Sequence, residues 1–322
     1  MLGDISWNAH YDQRQKRCKL TQIAGNLLVI GARSLIGRRL PDAVLEAGLA
    51  SSQVWFSSRR PLAGHQSVLL DMSQPEAFHP EQRFEAVIIC APIWLVSEAL
   101  LNRLFRLGMK RLVVFSSTSR LTKSESEEPA EREIVQKLQE GETVTTSFCH
   151  HLGISFTILR PTLIFDEGQD ANVSRIAQTI SNLGFFPVCG KASGLRQPVH
   201  ARDLARAAVQ ALSSSDASNK SFNLSGADDL TYRVMVERIF LSLGRKPVII
   251  SLPESMWRMM FTILHWMRPK NALKQNIHMV LRMNQNLWFD HSAATRAFGY
   301  APAPFKPDFS KSESRKPVFR KP

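Results

Sequence analysis

Gly31 and Gly37 close the segment GARSLIG, which follows the apolar run Leu27–Ile30 and leads into a helical pattern. A strand that ends in a glycine turn and feeds a helix brings backbone N–H groups and the positive end of a helix dipole to one point. The chemistry on offer is capture of a pyrophosphate. Gly31 permits the tight turn and Gly37 the close approach of helix to strand, with Ser34, Leu35 and Ile36 between them. Ser34 stands where a third glycine would complete a GxxGxxG loop; its small side chain leaves room for phosphate and can donate a hydrogen bond to it. Alone, the loop reads equally well as a plain strand-to-helix turn.

The next apolar run, VWFSSRRP, ends in Arg59 and Arg60. A dinucleotide site that reads ribose hydroxyls carries an acidic residue at this place, whereas arginines there pair a 2′-phosphate. Arg33 can join them, because a guanidinium binds phosphate through two parallel hydrogen bonds and stacks on adenine. The expected cofactor is therefore NADP(H), with NAD possible. Solvated surface arginines remain the competing reading. Asp71 stands where an adenine amino group would be read and serves equally as a helix cap.

The elements that must position these groups are legible as alternating apolar runs and helical patterns. Short runs at 27–30, 54–56, 68–70, 86–90, 112–115 and 156–159 are separated by longer amphipathic segments. Parallel strands need long crossovers and are buried on both faces, so this alternation predicts an α/β fold, a doubly wound parallel sheet of Rossmann type. Beyond residue 165 helical periodicity dominates, at 170–183, 203–212, 231–243 and 254–267. These predict a smaller, mainly helical C-terminal substrate region. The expected boundaries are a tail over 1–25, a nucleotide-binding domain over 26–165 completed by later segments near 199 and 222, a substrate region over 166–300, and a basic, proline-rich tail over 301–322. Asp203, Thr231 and Asp290 are candidate N-caps, and Gly184 and Gly244 candidate stops.

Composition narrows the function classes. Of the formal net charge of +13, residues 1–20 hold +2 and residues 301–322 hold +4, so no dense basic block marks a nucleic-acid groove. Four scattered cysteines form neither a CxxC pair nor a disulfide framework, and no metal site is expected. No apolar run reaches membrane-spanning length, and the start lacks a signal-peptide core. A cytoplasmic location is expected, with a membrane-peripheral one left open by SMWRMMFTILHWMRP (255–269). There Trp257, Met260, Phe261, Leu264 and Trp266 form either a membrane-facing stripe or a face packed on the small domain.

Taken in order, NLLVIGARSLIG, ICAP, VVFSSTS, FTILRPTLIFD and QPVHARDLARA resemble the extended and atypical short-chain dehydrogenase/reductase superfamily, in its nucleoside-diphosphate-sugar epimerase/dehydratase-like branch, over residues 26–300. The resemblance implies a cofactor site bordered by Cys90, Ala91 and Pro92, with Arg160 and Pro161 beside the nicotinamide. It implies a catalytic hydroxyl at Thr118, with Ser117 beside it. The family's acid–base pair is Tyr-x-x-x-Lys, in which the lysine holds the ribose and lowers the tyrosine pKa. Lys137, 23 residues before Arg160, fits the lysine, and four residues earlier stands Glu133 in place of tyrosine.

Three outcomes stay open. Glu133, tuned toward neutral, takes over proton transfer; another group or the substrate supplies the proton; or the protein binds NADP(H) without turnover, as a regulatory or structural protein. A solvated acidic face is the plain alternative for Glu133. Asn172, Arg175, Arg196 and Gln197 are the candidates to face a small polar substrate such as a nucleotide sugar, with 182–200 as a mobile cover over them. His150 and His151 are adjacent and point apart, so they make no metal site. His200 and Asp203 read as a strand-to-helix junction rather than a dyad. Oligomeric state is not legible.

Overall fold

A computed structural model describes residues 25–122, 128–267 and 274–310; residues 1–24 of the expected tail over 1–25, the acidic residues Glu125 and Glu127, and residues 311–322 lie outside the described residues. Seven parallel strands form the central sheet: β1 (Leu27–Ile30), β2 (Val54–Ser58), β3 (Ser67–Leu69), β4 (Ala86–Ile89), β5 (Arg111–Phe115), β6 (Ser155–Pro161) and β7 (Lys220–Leu224). Their spatial order is β7-β6-β5-β4-β1-β2-β3. The order turns back at β1 and β4, and the crevice between such strand ends is where open α/β sheets bind ligands.

Residue-by-residue alternation explains why the sheet is double-faced. Leu27 and Val29 enter one core while Leu28 and Ile30 enter the other, and in β5 Val113 and Phe115 oppose Leu112 and Val114. Side chains with a period of two, apolar at every position, require cover on both sides. One face is covered by α1 (Leu40–Glu46) and by the helices over Ala201–Ser213 and Ser292–Phe298; the other by α2 (Glu98–Arg106) and α3 (Pro129–His151).

The C-terminal lobe is built on a third cluster, from α4 (Val173–Leu183), α6 (Tyr232–Ser242), α7 (Glu254–Met267) and α8 (Lys274–Leu281), with α5 (Ala201–Ser213) and α9 (Ser292–Phe298) remaining on the sheet. Val199–His200 pairs with Ile164–Phe165 as a separate parallel ribbon, so only Lys220–Leu224 extends the main sheet. Thr231 caps α6 by accepting from the Val234 amide at 3.2 Å, and Gly184 ends α4 in the left-handed conformation. Asp203 is no cap. His200 caps α5 through Nδ1, which accepts from the Arg202 amide at 2.9 Å, while Asp203 in the first turn receives the Ala303 amide at 3.0 Å.

That last contact belongs to the largest departure from the sequence reading. Residues 301–310 are not a tail: Pro302, Phe305, Pro307 and Phe309 are buried and alternate with exposed positions. Carboxylates receive the amides of this extended strap, Asp203 at Ala303, Asp228 at Phe305 and Glu167 at Asp308. Phe305 packs edge-on to Phe165 at 5.0 Å in the third core. Proline there serves to pre-extend the chain, which lowers the entropy cost of docking it. Phe305→Ala is expected to destabilise the protein by about 3–5 kcal/mol in chemical denaturation; a loss under about 1 kcal/mol would show that the strap is not anchored by this ring.

Of the residues read as either a membrane-facing stripe or a packed face, Trp257, Met260 and Phe261 take the packed position. Trp257 is buried, stacks on Phe261 at 5.8 Å between ring centroids, and packs with Met260 and Phe261 on the third cluster; the side chains of Leu264 and Trp266 lie outside the described residues. Among the described residues, no helix is long and apolar enough to cross a membrane.

Candidate functional site

The glycine loop is fixed by sterics at both ends. Gly31 has φ +84°, a conformation side chains disfavour, and a Cβ there would lie 2.7 Å from the Ala91 amide nitrogen. A Cβ on Gly37 would overlap the Gly31 carbonyl oxygen and sit 2.9 Å from Ala32 Cα. Between them, the Ser34 amide donates to the Gly31 carbonyl at 2.9 Å, and Ser34 Oγ accepts from the Gly37 amide at 3.0 Å. The serine hydroxyl thus holds the turn that a glycine would leave open, and its proton remains available to a phosphate oxygen. Among the described residues, the amides of Leu35 and Ile36 have no acceptor, although Ile36 is 5% exposed. Backbone amides left without a protein acceptor at the entry to a helix are available to an anion. They fit a pyrophosphate.

Around this loop the guanidinium groups divide into two sets. Arg39 is bound through two hydrogen bonds to buried Asp166 at 2.5 and 2.9 Å, and Arg38 donates to Gln169 at 2.7 Å; both tie the loop to the 166–170 segment. Arg33 donates only to the Pro61 carbonyl at 3.2 Å, and Arg59 and Arg60 are exposed without a salt bridge among the described residues. A cavity of about 330 Å³ opens between the loop and the 62–65 segment, lined by Arg33, Arg38, Phe56 and His65 among others. Asp71 receives the Ser73 hydroxyl at 2.7 Å and amide at 3.0 Å, which hold its carboxyl below the usual range, so in this structure it is a loop cap.

The ends of β4, β5 and β6 meet beside the loop. Cys90 is buried, its amide donates to the Ile30 carbonyl at 2.8 Å, and burial pushes its thiol far up, so it lines the site as an inert wall ahead of Ala91 and Pro92. Thr118 is buried and its hydroxyl donates to the Pro161 carbonyl at 3.1 Å, while Ser117 Oγ accepts from the Ser119 amide at 3.1 Å. Both hydroxyls therefore sit at the strand edge with local partners.

Sequence reading passed over Glu142. It is 4% exposed, accepts from Ser116 Oγ at 2.6 Å, and receives both arms of Arg160 at 2.9 and 2.6 Å; Arg120 lies 3.2 Å away. Burial would raise its pKa, but the bonds from Arg160 and Ser116 and the charges of Arg160 and Arg120 outweigh this and hold the carboxyl below its ordinary range. The signal was present: Val135, Leu138, Glu142, Thr145 and Cys149 share the inward stripe of α3. Arg160 is thereby anchored at the strand end.

Glu133 and Lys137 are placed otherwise. They are 62% and 47% exposed, and Lys137 Nζ lies 2.6 Å from Glu133 Oε1. The hydrogen bond from Lys137, then its charge, lowers the Glu133 pKa. A proton donor tuned toward neutral requires the opposite shift. Neither described tyrosine substitutes: Tyr232 is pushed up to about 12 by burial, and Tyr300 is buried with its hydroxyl on the Ser225 carbonyl at 2.9 Å.

The four candidate substrate residues separate likewise. Asn172 and Arg175 are exposed at the start of α4. Arg196 is 5% exposed, donates to the carbonyls of Leu195 and Gln285 at 2.7 Å and of Arg282 at 2.5 Å, and lies 5.5 Å from the Tyr232 ring centre. Gln197 bridges Asp229 at 2.8 Å and the Phe289 amide at 2.7 Å. These two brace the lobe with their polar atoms already used. The 182–200 segment is no mobile cover, since Phe186, Val188, Cys189 and Ala192 are core. Asp166, Glu167 and His200 gather their ligand atoms within 4.8 Å, but Arg39, the Glu167–His200 bond at 3.1 Å and the Arg202 amide occupy them.

Residues 93–225 match the model of the NAD dependent epimerase/dehydratase family. Over that stretch the chain resembles the extended short-chain dehydrogenase/reductase superfamily. Among solved structures, the chain is similar in fold to gox2253, with 15% identity, TM-score 0.68 and coverage of 90% of this chain and 99% of that one. It is also similar to UDP-glucose 4-epimerase with UDP-glucose from Thermotoga maritima, at 16% identity, TM-score 0.62 and coverage of 86% and 93%. A third is the Citrobacter sp. triphenylmethane reductase complexed with NADP(H), at 18% identity, TM-score 0.61 and coverage of 87% and 97%. A search of curated protein sequences found no match.

Proposed function

We propose that this protein is an NADP(H)-binding member of the superfamily acting on a small polar substrate of the nucleotide-sugar class. The observation that carries the reading is the pair of unpaired amides, Leu35 and Ile36, in a loop that only glycine permits at Gly31 and Gly37, with Arg33, Arg59 and Arg60 beside it. In this reading the amides and the Ser34 hydroxyl bind the pyrophosphate, and Arg33 with Arg59 pairs the 2′-phosphate. Ala91, Pro92 and Pro161 shape the floor at the strand ends, with Arg160 held in place by Glu142. Bound there, the nicotinamide would supply hydride chemistry. Thr118 and Ser117 are the hydroxyls nearest in the chain to that edge, and Asn172 and Arg175 are exposed polar side chains at the start of α4.

A second reading, binding without turnover, is favoured by one observation: Glu133 and Lys137 are exposed and bound to each other, and the Glu133 pKa falls. The same experiment addresses both. At a concentration about 100 times its Kd, NADPH stabilises by about 2.7 kcal/mol, a shift of about 5 °C here, and NADH shifts less. Arg33→Ala with Arg59→Ala weakens NADPH binding about tenfold or more, a charged hydrogen bond being lost at each position, and removes the preference. Equal shifts from the two cofactors in the parent would defeat the arginine argument. Nicotinamide absorbance against nucleotide sugars then separates enzyme from binder, and Glu133→Gln is expected to leave any turnover unchanged.

A further inference from the structure

Leu62 and His65 form the wall of the cavity of about 330 Å³ opposite the glycine loop. Their segment is tied down at both ends: the Pro61 carbonyl accepts from Arg33 at 3.2 Å, and the Gln66 carbonyl accepts from the Phe56 amide at 2.9 Å. Between these ties Gly64, at φ +80°, turns the chain, and the His65 ring lies against buried Phe56 with ring centres 5.1 Å apart. Among the described residues, neither ring nitrogen of His65 has a hydrogen-bond partner. A ring seated on one face, with both nitrogens unused, is placed to bind a ligand.

The charges around the cavity select an anion. Arg33 and Arg38 line it from the loop side and His65 from the other, and none of its lining residues is acidic. Arg38 is engaged with the Gln169 side chain at 2.7 Å and the Arg33 carbonyl at 3.0 Å, which leaves Arg33 and His65 to turn to a newcomer. A phosphate monoester carries about two negative charges near neutral pH and three acceptor oxygens, more than one guanidinium satisfies. The Leu35 and Ile36 amides suit the pyrophosphate, whereas the cavity lies on the Phe56 side at the end of β2, where the adenosine ribose is read. We propose that His65 binds the 2′-phosphate of NADP(H) alongside Arg33 and Arg59, and that its protonation strengthens the preference over NAD(H) as pH falls. This assignment rests on the cofactor reading, which itself needs only the loop and the arginines. Its sign is definite: imidazole gains charge from about pH 8 downward, while a phosphate monoester keeps most of its second charge until about pH 6.

Calorimetric titration of the full chain with NADPH and NADH, at about pH 8.5 and about pH 6.5, tests the proposal. The parent is expected to bind NADPH about fivefold tighter at the lower pH, with NADH changing less than about twofold. His65→Gln is expected to bind NADPH at the lower pH only as well as the parent does at the higher one. His65→Arg, charged throughout, is expected to bind at the higher pH about as tightly as the parent at the lower. Melting temperatures without cofactor are expected to stay at the parent's value, because His65 is exposed. A preference for NADPH that is equal at both pH values, or a His65→Gln protein that follows the parent's pH dependence, would overturn the role of His65 and leave the arginine reading standing. No preference for NADPH at either pH would defeat both.

Discussion

Gly37→Ala is expected to abolish the thermal response to NADPH and to lower stability by about 3 kcal/mol, an overpacking cost at its upper range because a backbone carbonyl cannot step aside as a side chain can. The added methyl would overlap the Gly31 oxygen and press on Ala32, so the loop must open before the chain can fold around it. Gly64→Ala is the contrasting control. Unlike Gly37 it has positive φ, at +80°, and nothing lies within 4 Å of its Cβ, leaving only backbone strain of about 1–2 kcal/mol. Chemical denaturation of the two variants, with thermal shifts in NADPH, separates crowding from strain. A Gly37→Ala protein with parental stability and an intact response would refute the close-approach argument.

Replacing Glu142 is the second large effect. Glu142→Ala is expected to cost about 3 kcal/mol, the lower end for a broken buried pair, because it removes the buried counter-charge of the half-buried Arg160 and Arg120. The pH dependence has a definite sign. The folded carboxyl titrates below its ordinary 4.5, so its stabilisation is complete above that value and is lost as pH falls through the folded pKa. Parent protein therefore loses stability in acid below about pH 4.5, and Glu142→Gln shows a flatter acid limb from a lower plateau. Glu142→Met with Arg160→Met recovers part of the loss, since an apolar pair does not strand a charge. Were the acid limb of Glu142→Gln to parallel the parent's, the titrating group would lie elsewhere. Loss of NADPH response in Glu142→Gln beyond that explained by stability would show that the carboxylate also positions Arg160.

Much of this is legible along the chain because it depends on neighbours in sequence. Strand runs such as LLVI and RLVVF announce themselves by continuous apolar composition, and the glycine loop by its spacing. Glu142 was masked by the acidic helix around it, although its place on the Val135–Cys149 stripe marks it as inward. Lys137 and Glu133 fitted a motif by counting, but counting along a helix does not fix the face: one position is a turn of about 100°. The strap over 301–310 was hidden by composition, proline and lysine suggesting a tail, whereas its alternate Phe305, Pro307 and Phe309 follow the period of a docked extended segment.

By itself the sequence determined the parallel α/β architecture, the glycine loop and the basic character beside it, since each follows from local periodicity, local sterics or a count of charges. Only the tertiary structure decided that Leu35 and Ile36 offer free amides, that Arg38 and Arg39 are spent on Gln169 and Asp166 while Arg33 is not, and that Arg196 and Gln197 are braces. Those outcomes depend on which partners, often more than a hundred residues away, arrive at hydrogen-bond distance. A polar side chain is available to a ligand only when the fold has not already satisfied it.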